Sequence, residues 1–318
     1  MKAVVQDRYG SPDVLRIEEI EKPALTDNRV LVKVRAASVN ALDWHFMTGE
    51  PKIARPSFGW RRPTQRVRGV DLAGVVEAAG RGVTGLKPGD EVFGNAAAAF
   101  AEYVSAAEDQ LAPKPAGMSF EQAAALPVAA VTALQGLRDK GGLKPGQRVL
   151  VNGASGGVGT FAVQIAKALG GHVTAVCRTI NVEQARSLGA DEVIDYTKED
   201  FLRPGVRYDL FFDVGGNRSF ADCRRALVPT GRLVIAGAAR SPEIRAVSAM
   251  ILTRFGSQPL ITYLANVRRQ DLLDLKELVE AGKLRSVIDR TYPLAEAASA
   301  MRYILEGHAR GKIVINVS

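Results

Sequence analysis

Hydrophobic positions along the chain change their spacing twice. Up to about residue 118 they fall in short runs at close intervals, as where Val30, Val32 and Val34 alternate with Leu31, Lys33 and Arg35. That two-residue period predicts a half-buried strand. Val70 to Ala78, Glu91 to Phe93, Phe100 to Val104 and Gln110 to Ala112 read as further short strands, parted by Gly80, Gly82, Gly85 and the turn Lys87-Pro88-Gly89-Asp90. Strands so closely spaced predict a closed or nearly closed barrel.

At Ser119 the period lengthens. Ser119-Phe120-Glu121-Gln122 has the form of a capping box. An alanine-rich helix follows it as far as Pro127, and a second helix runs from Ala129 to Lys140, ended by Gly141-Gly142. From Gln147 strands and helices alternate. The strands are Val149 to Val151, His172 to Cys177, Glu192 to Tyr196, Tyr208 to Val214 and Arg232 to Ala236; between them lie helices at Val182 to Leu188 and Ser219 to Leu227. That alternation predicts a parallel sheet with helices on both faces. The tail offers helices at Asp271 to Glu280 and Leu294 to Leu305, and strands at Val287-Ile288 and Ile313 to Val317. It reads as a return to the first domain. The expectation is an α/β chain of two domains, 1–122 with 266–318, and 123–265.

Composition narrows the class. A chain of 318 residues exceeds one ordinary core, and 47% hydrophobic with 24% charged residues is the make-up of a soluble globular protein. The longest nearly apolar run, Ala123 to Leu134, is too short to span a bilayer, and the first residues lack the apolar core of a signal peptide. Cys177 and Cys223 are the only cysteines, too few for a disulfide framework or a cysteine-rich zinc lobe. A cytoplasmic protein with no membrane partner is expected. The net charge of +8 is densest at Trp60-Arg61-Arg62-Pro63-Thr64-Gln65-Arg66-Val67-Arg68. No helix-turn-helix, zinc finger or RNP-type strand accompanies that knot. It reads as a solvated loop, or a rim that draws in anionic ligands, rather than a nucleic-acid surface.

The candidate chemistry centres on residues 148–167. Val149 to Val151 is a short buried strand after the turn Lys144-Pro145-Gly146; Gly153, Ala154, Ser155, Gly156, Gly157, Val158 and Gly159 follow at once. Behind them Phe161, Ile165 and Leu169 keep helical spacing until Gly170-Gly171. Strand, glycine turn and helix form the setting in which a backbone approaches a pyrophosphate at a helix N-terminus. Ala154 stands in the first glycine slot of G-x-G-x-x-G, with Gly156 and Gly159 in the others. A dinucleotide site of NAD type has an acidic residue about twenty positions beyond this turn to hold the ribose hydroxyls. Here Arg178 stands there, followed by Thr179 and Asn181. A guanidinium can stack on adenine and pair with a 2′-phosphate, which points to NADPH; the alternative is a surface arginine that ends a strand.

Several stretches in this order resemble the medium-chain dehydrogenase/reductase superfamily, within it the zinc-free quinone oxidoreductase branch that includes alkenal and enoyl-thioester reductases. They are Ala36-Ala37-Ser38-Val39-Asn40-Ala41-Leu42-Asp43, Gly69-Val70-Asp71-Leu72-Ala73-Gly74, Gly89-Asp90-Glu91-Val92-Phe93-Gly94 and Ala101-Glu102-Tyr103. Asn152 to Gly159, Leu188-Gly189-Ala190-Asp191 and Gly311-Lys312-Ile313-Val314 complete the set. The resemblance implies a GroES-like β-barrel domain, a Rossmann domain with a doubly wound parallel sheet, and an active site in the cleft between them. Matched to the zinc-dependent members, the three metal slots hold Asn40, Val70 and Val128. Valine cannot ligate and asparagine is a poor zinc ligand, so no metal is expected.

The same resemblance carries Asn40, Asp43 and Thr132 to the nicotinamide and substrate as an amide donor, an acceptor and a hydroxyl; their plainer roles are loop and helix hydrogen bonds. His45 can relay a proton or be structural. Tyr196 is a second candidate for the adenosine pocket, or an amphipathic residue at a sheet edge. Gly237 and Lys312 are placed with the cofactor-binding residues. Many branch members carry Gly-x-Tyr after the first loop, where this chain has Gly49-Glu50-Pro51. That weakens an enoyl-thioester role. The branch commonly dimerises through edge strands, and Leu260 to Leu264 is an apolar, β-prone stretch in the corresponding region. The resulting expectation is a metal-independent, homodimeric, NADPH-dependent reductase of quinones or activated alkenes. Its rivals are a zinc-type alcohol dehydrogenase, and an NADPH-binding sensor or nucleic-acid-binding protein. The substrate is left to the loops Pro51 to Arg68 and Pro242 to Gln258, which carry no recognisable code.

Overall fold

The computed structural model describes residues 1–52, 55–202, 205–236 and 258–317. It divides into two compact units, Met1–Val131 with Asn266–Ser318, and Thr132–Ala265. The first division falls after Val131 rather than after 122.

The first unit opens with β1 (Lys2–Val5) and β2 (Arg16–Glu19), an antiparallel pair. Then come β3 (Arg29–Val39), helix α1 (Ala41–Thr48), β4 (Asp71–Ala79), β5 (Glu91–Asn95), β6 (Tyr103–Ala107) and β7 (Leu111–Pro113). β3 pairs antiparallel with β4 and, along its first half, with β6. Its alternation is imperfect: Val30, Val32 and Val34 are buried as the period requires, but so is Leu31, while Lys33 is exposed. The strand expected at Phe100 begins only at Tyr103. Phe100 is fully buried and exchanges its backbone bonds with Val4 and Arg68 instead.

Ser119 caps α2 (Phe120–Ala124) through the foreseen box: its hydroxyl accepts from Gln122 N, and Gln122 Oε1 accepts from Ser119 N. This helix packs on β3, β4 and β5. That packing draws the chain beyond 122 into the first unit. Helix α3 (Pro127–Leu134) starts two residues earlier than read from the sequence, with Pro127 where a helix needs no N–H. Residues Gln135–Lys140 continue it as a π-helix rather than an α-helix.

The second unit is built from β8 (Arg148–Asn152), α4 (Gly157–Ala168), β9 (His172–Cys177), α5 (Val182–Ser187), β10 (Glu192–Asp195), β11 (Tyr208–Asp213), α6 (Phe220–Arg225), β12 (Leu227–Ile235) and β13 (Leu260–Thr262). Its six strands lie in the order β10-β9-β8-β11-β12-β13, every pair parallel. This is the doubly wound order 3-2-1-4-5-6, whose reversal between first and fourth strands is where such sheets take ligands. Val149, Leu150 and Val151 are fully buried, as a strand covered on both faces requires. Helix α4 was read with one apolar face, but it is buried all round from Gly159 to Ala166. β12 is longer than expected, starting at Leu227.

The tail returns to the first unit. Helix α7 (Arg269–Glu280), β14 (Ile288–Pro293), helix α8 (Ala297–Leu305) and β15 (Lys312–Asn316) follow, and β15 pairs antiparallel with β3 while β14 lies parallel to β15. The first sheet therefore reads β14-β15-β3-β4-β5-β7, with β6 on β3. Its core joins both parts of the sequence: Val32, Leu72 and Phe100 pack with Met301, Ile313 and Ile315.

Candidate active site

The glycine turn leaves β8 at its C-terminal end. Gly153 takes the left-handed conformation, with φ +84°. The position that demands glycine thus lies one residue before Ala154, whose backbone N–H bonds Val176 O at 3.0 Å. That explains why alanine serves in the first slot. A Cβ on Gly159 would come within 2.0 Å of Gly153 O, so glycine there lets α4 seat against the turn. At Gly156 an added Cβ would meet only Gly153 O, at 3.8 Å. Its bareness serves no packing need of the protein and fits a place kept clear for a ligand at the helix N-terminus.

The reversal of strand order is stapled by side chains the sequence reading did not single out. Asn152 Nδ2 donates to Asp213 Oδ1 at 2.8 Å and to Asn217 Oδ1 at 2.9 Å, and Gly216 N donates to Asp213 Oδ1 at 2.9 Å. Asn152 ends β8 and Asp213 ends β11, and their positions at two adjacent strand ends were the available signal.

Beyond β9 and β10 the predicted adenosine residues meet. Arg178 Nε donates to Tyr196 Oη at 2.6 Å, and the other guanidinium nitrogens have no protein partner among the described residues. Thr179 belongs to a separate knot. Its hydroxyl and that of Thr197 donate to Asp195 at 2.5 and 2.7 Å, holding that carboxyl down at about 2. Lys198 stands 3.6 Å from the same carboxylate. Asn181 is buried at the start of α5, rather than open to a ligand. Gly237 lies outside the described residues.

The first unit holds a buried polar cluster. Asn40 Nδ2 donates to Asp71 Oδ2 at 2.8 Å, Ser38 Oγ donates to the same oxygen at 3.0 Å, and Val128 N donates to Asp71 Oδ1 at 3.1 Å. Lys312, only 3% exposed, donates to Asn40 Oδ1 at 2.6 Å and Val39 O at 3.1 Å, and lies 3.8 Å from Asp71 Oδ2. Asp43 Oδ2 accepts from Asn40 N at 2.8 Å, capping α1.

Two assignments are corrected by this geometry. Lys312, placed from the sequence with the cofactor residues, is enclosed with Asn40 and Asp71 because a buried ammonium needs acceptors and a countercharge. Asn40, read as a donor to the substrate, commits its amide to Asp71 and Lys312. On the same helix as Asp43, His45 Nδ1 meets Glu50 O at 2.6 Å. A carbonyl only accepts, so Nδ1 carries a proton. Thr132 belongs to the other unit, where its carbonyl accepts from Tyr263 Oη at 2.5 Å.

Known proteins resemble this chain in sequence and overall fold. Residues 26–116 match the family Alcohol dehydrogenase GroES-like domain, and residues 188–315 match Zinc-binding dehydrogenase. The human mitochondrial protein "NAD(P)H oxidoreductase RTN4IP1" is 36% identical over 361 residues, spanning 100% of this chain and 89% of the relative. The Arabidopsis thaliana protein "NADPH-dependent alkenal/one oxidoreductase, chloroplastic" is 35% identical over 332 residues, 99% of this chain and 79% of that protein. Among solved structures, the quinone oxidoreductase from Coxiella burnetii superposes with a TM-score of 0.87 at 32% identity, covering 100% of this chain and 99% of that one. The chain belongs to the medium-chain dehydrogenase/reductase superfamily. It is an oxidoreductase of the quinone oxidoreductase-like branch.

In this oxidoreductase the slots of the zinc-dependent members converge on Asp71. Asn40 and the Val128 backbone both bond its carboxylate, and Val70 precedes it. The side chains of Val70 and Val128 offer no ligand atom, so the donor set does not fit zinc. Among the described residues no helix is long and apolar enough to cross a membrane. The basic knot is divided: Arg66 pairs with Glu18 and Asp7, whereas Arg68 is buried.

Burial pushes the Asp43 carboxyl up to about 7, and the neighbouring Asp71 adds to the rise; Lys312 and Arg68 oppose it. Asp71 is likewise raised by burial, against the pull of Lys312, and Lys312 is lowered by burial against the pull of both carboxylates. A carboxyl raised in the fold stabilises it fully below its unfolded pKa, and that stability is lost as pH rises through the folded value. The Asp43→Asn variant should remove this dependence. In urea unfolding from pH 4 to 8, wild-type stability relative to the variant should fall by about 2–4 kcal/mol up to pH about 7 and then level. A difference that does not change with pH would show that Asp43 titrates normally.

Proposed function

We propose that this oxidoreductase is a metal-independent reductase that uses NADPH to reduce quinones or activated alkenes such as enones and enals. The observation that carries the cofactor choice is Arg178. It stands where an NAD-type site has its ribose-binding acid, and its free terminal nitrogens suit a 2′-phosphate. Asp195, beside Thr179, already accepts from the hydroxyls of Thr179 and Thr197. The bare Gly156 and the α4 N-terminus suit the pyrophosphate. The name of the Arabidopsis relative supports NADPH and alkenal or enone acceptors, and that of the Coxiella structure supports quinones.

Bound NADPH would supply the hydride. The chain's part is to fix the dinucleotide and receive the acceptor. Gly153, Gly156 and Gly159 shape the turn, the Asn152–Asp213 staple holds it beside Gly215 and Gly216, and Arg178 with Tyr196 grips the adenosine end. No step needs a metal, since Val70 and Val128 leave no ligand set for one.

A panel of quinones, enones and enals, followed by NADPH oxidation with and without chelator, tests the reading. Turnover indifferent to chelator is expected; activity lost on chelation, together with stoichiometric zinc, would overturn it. The Arg178→Ala variant should weaken NADPH by roughly ten- to a hundredfold and NADH little, with kcat nearly unchanged because a remote phosphate is held equally in ground and transition states. Equal losses for both cofactors would mean that Arg178 serves adenine or the fold. We further propose a homodimer joined through β13, the outer strand of its sheet, beside which Leu264 is 95% exposed. Light scattering should give twice the chain mass, and a monomer at all concentrations would remove that proposal.

A further inference from the structure

Reducing an enone or a quinone by hydride leaves an oxyanion that must be stabilised until a proton arrives. Asn40 does not serve, because its amide is committed, and no metal ligand set stands in its place. The first unit does contain an unspent cationic donor. Arg68 is only 5% exposed, yet neither Nε nor Nη2 has a hydrogen-bond partner among the described residues. These two nitrogens form the side-on edge of the guanidinium, whose parallel N–H bonds match an anionic oxygen or a carboxylate.

The neighbours of Arg68 are unsatisfied as well. Asp43 Oδ1 and Gln6 Oε1 are buried without hydrogen-bond partners among the described residues. Val5 and Val67 face each other in an isolated bridge, which turns Gln6 and Arg68 to the opposite face of that ribbon. Gln6 Nε2 donates to Met47 O at 2.6 Å, one turn along α1 from Asp43. Arg68 and Asp43 each lie within the other's electrostatic reach, and Tyr9 also feels Arg68. One buried group without a partner is an accident of packing. A guanidinium edge, a carboxylate oxygen and an amide oxygen, all buried beside one short helix without partners among the described residues, point to a bonding role that the resting fold does not use.

We propose that the Nε and Nη2 edge of Arg68 binds the anionic oxygen of the reduced acceptor, an enolate or a phenolate-like hydroquinone oxygen. The ligand class rests on the reductase reading above. Hydride added to the β-carbon of an enone drives the alkene pair into a new bond between the α-carbon and the carbonyl carbon. The carbonyl pair moves onto oxygen, where the two donors of Arg68 receive it. Water then supplies the proton at the α-carbon and leaves as hydroxide, the carbonyl re-forms and Arg68 is released. Both donors are covered in the free protein, so the ligand takes a place that side-chain packing otherwise closes.

The test uses 2,4-dinitrophenolate as the anionic probe and 2,4-dinitroanisole as its neutral counterpart, on the full chain without cofactor. Binding to wild type, Arg68→Met and Arg68→Lys is followed by absorbance, and thermal unfolding checks that each variant is folded. The methionine variant should lose roughly ten- to a hundredfold in phenolate affinity, with the anisole unmoved. Arg68→Lys keeps the charge without the fork and should fall between; it answers alone if the methionine variant does not fold. Unchanged phenolate binding in the folded variants would overturn the proposal. A further arm measures reduction of 3-penten-2-one, where Arg68→Met should lower kcat more than it raises KM, because the oxyanion exists only in the transition state and after it. If no acceptor is turned over but the phenolate still depends on Arg68, the reductase reading fails and the site stands. If acceptors are reduced and the phenolate ignores Arg68, the site fails alone.

Discussion

An ammonium buried against an amide and a carboxylate holds the first unit together. Lys312 comes from the last strand, Asn40 from the end of β3, Asp71 from the start of β4, and the Val128 N–H from α3. Each partner is needed by the others, since removing one from a buried pair strands the remaining charge at a cost of about 3–5 kcal/mol. The cluster gives a physical reason why the C-terminal fifty residues leave the parallel sheet and return to the first domain: β15 must bring Lys312 to Asp71 while Ile313 and Ile315 fill the core beside Val32 and Leu72. It also fixes Asn40, and through it Asp43 and the first turn of α1.

The second unit is organised by the opposite means, an absence of side chains. Gly159 admits the Gly153 carbonyl to within 2.0 Å of where a Cβ would stand, and the turn so formed lies beside Gly215, whose backbone N would be 3.0 Å from a Cβ on Gly153. Charged and amide groups then lock the closely packed backbone from outside, through Asn152 and Asp213. The outcome is a bare cradle at one strand end and, at the next, a guanidinium held by Tyr196 through Nε alone among the described residues, a combination that suits a phosphorylated dinucleotide.

Most of the fold was legible because its signals are local. The capping box at Ser119, the run Val149 to Val151 and the glycine stops each act within a few residues, and each element stands where they put it. The misreadings have a common cause in contacts distant in sequence. Phe100 is apolar and β-prone but spends its backbone on Val4 and Arg68; Leu31 is buried against its alternation; α4 is covered on every side. The site follows the same rule. The meeting of Arg178 and Tyr196 follows from strand ends, which are countable, whereas the Lys312–Asn40 bond joins residues far apart in the chain and no spacing announces it. Arg68 was seen only as one of several basic residues in a loop. That its Nε and Nη2 find no hydrogen-bond partner among the described residues is a property of packing alone.

In the proposed reaction, dinucleotide recognition is carried by backbone shape and one arginine, and the reacting oxygen is stabilised by side chains rather than by a metal. NADPH carrying deuterium at both C4 positions of the nicotinamide, incubated with the chelated enzyme and an enone, tests this most directly. The account predicts deuterium at the β-carbon of the saturated product, by mass spectrometry, with one label gained for each NADPH oxidised. An unlabelled product, or no product until metal is restored, would contradict it.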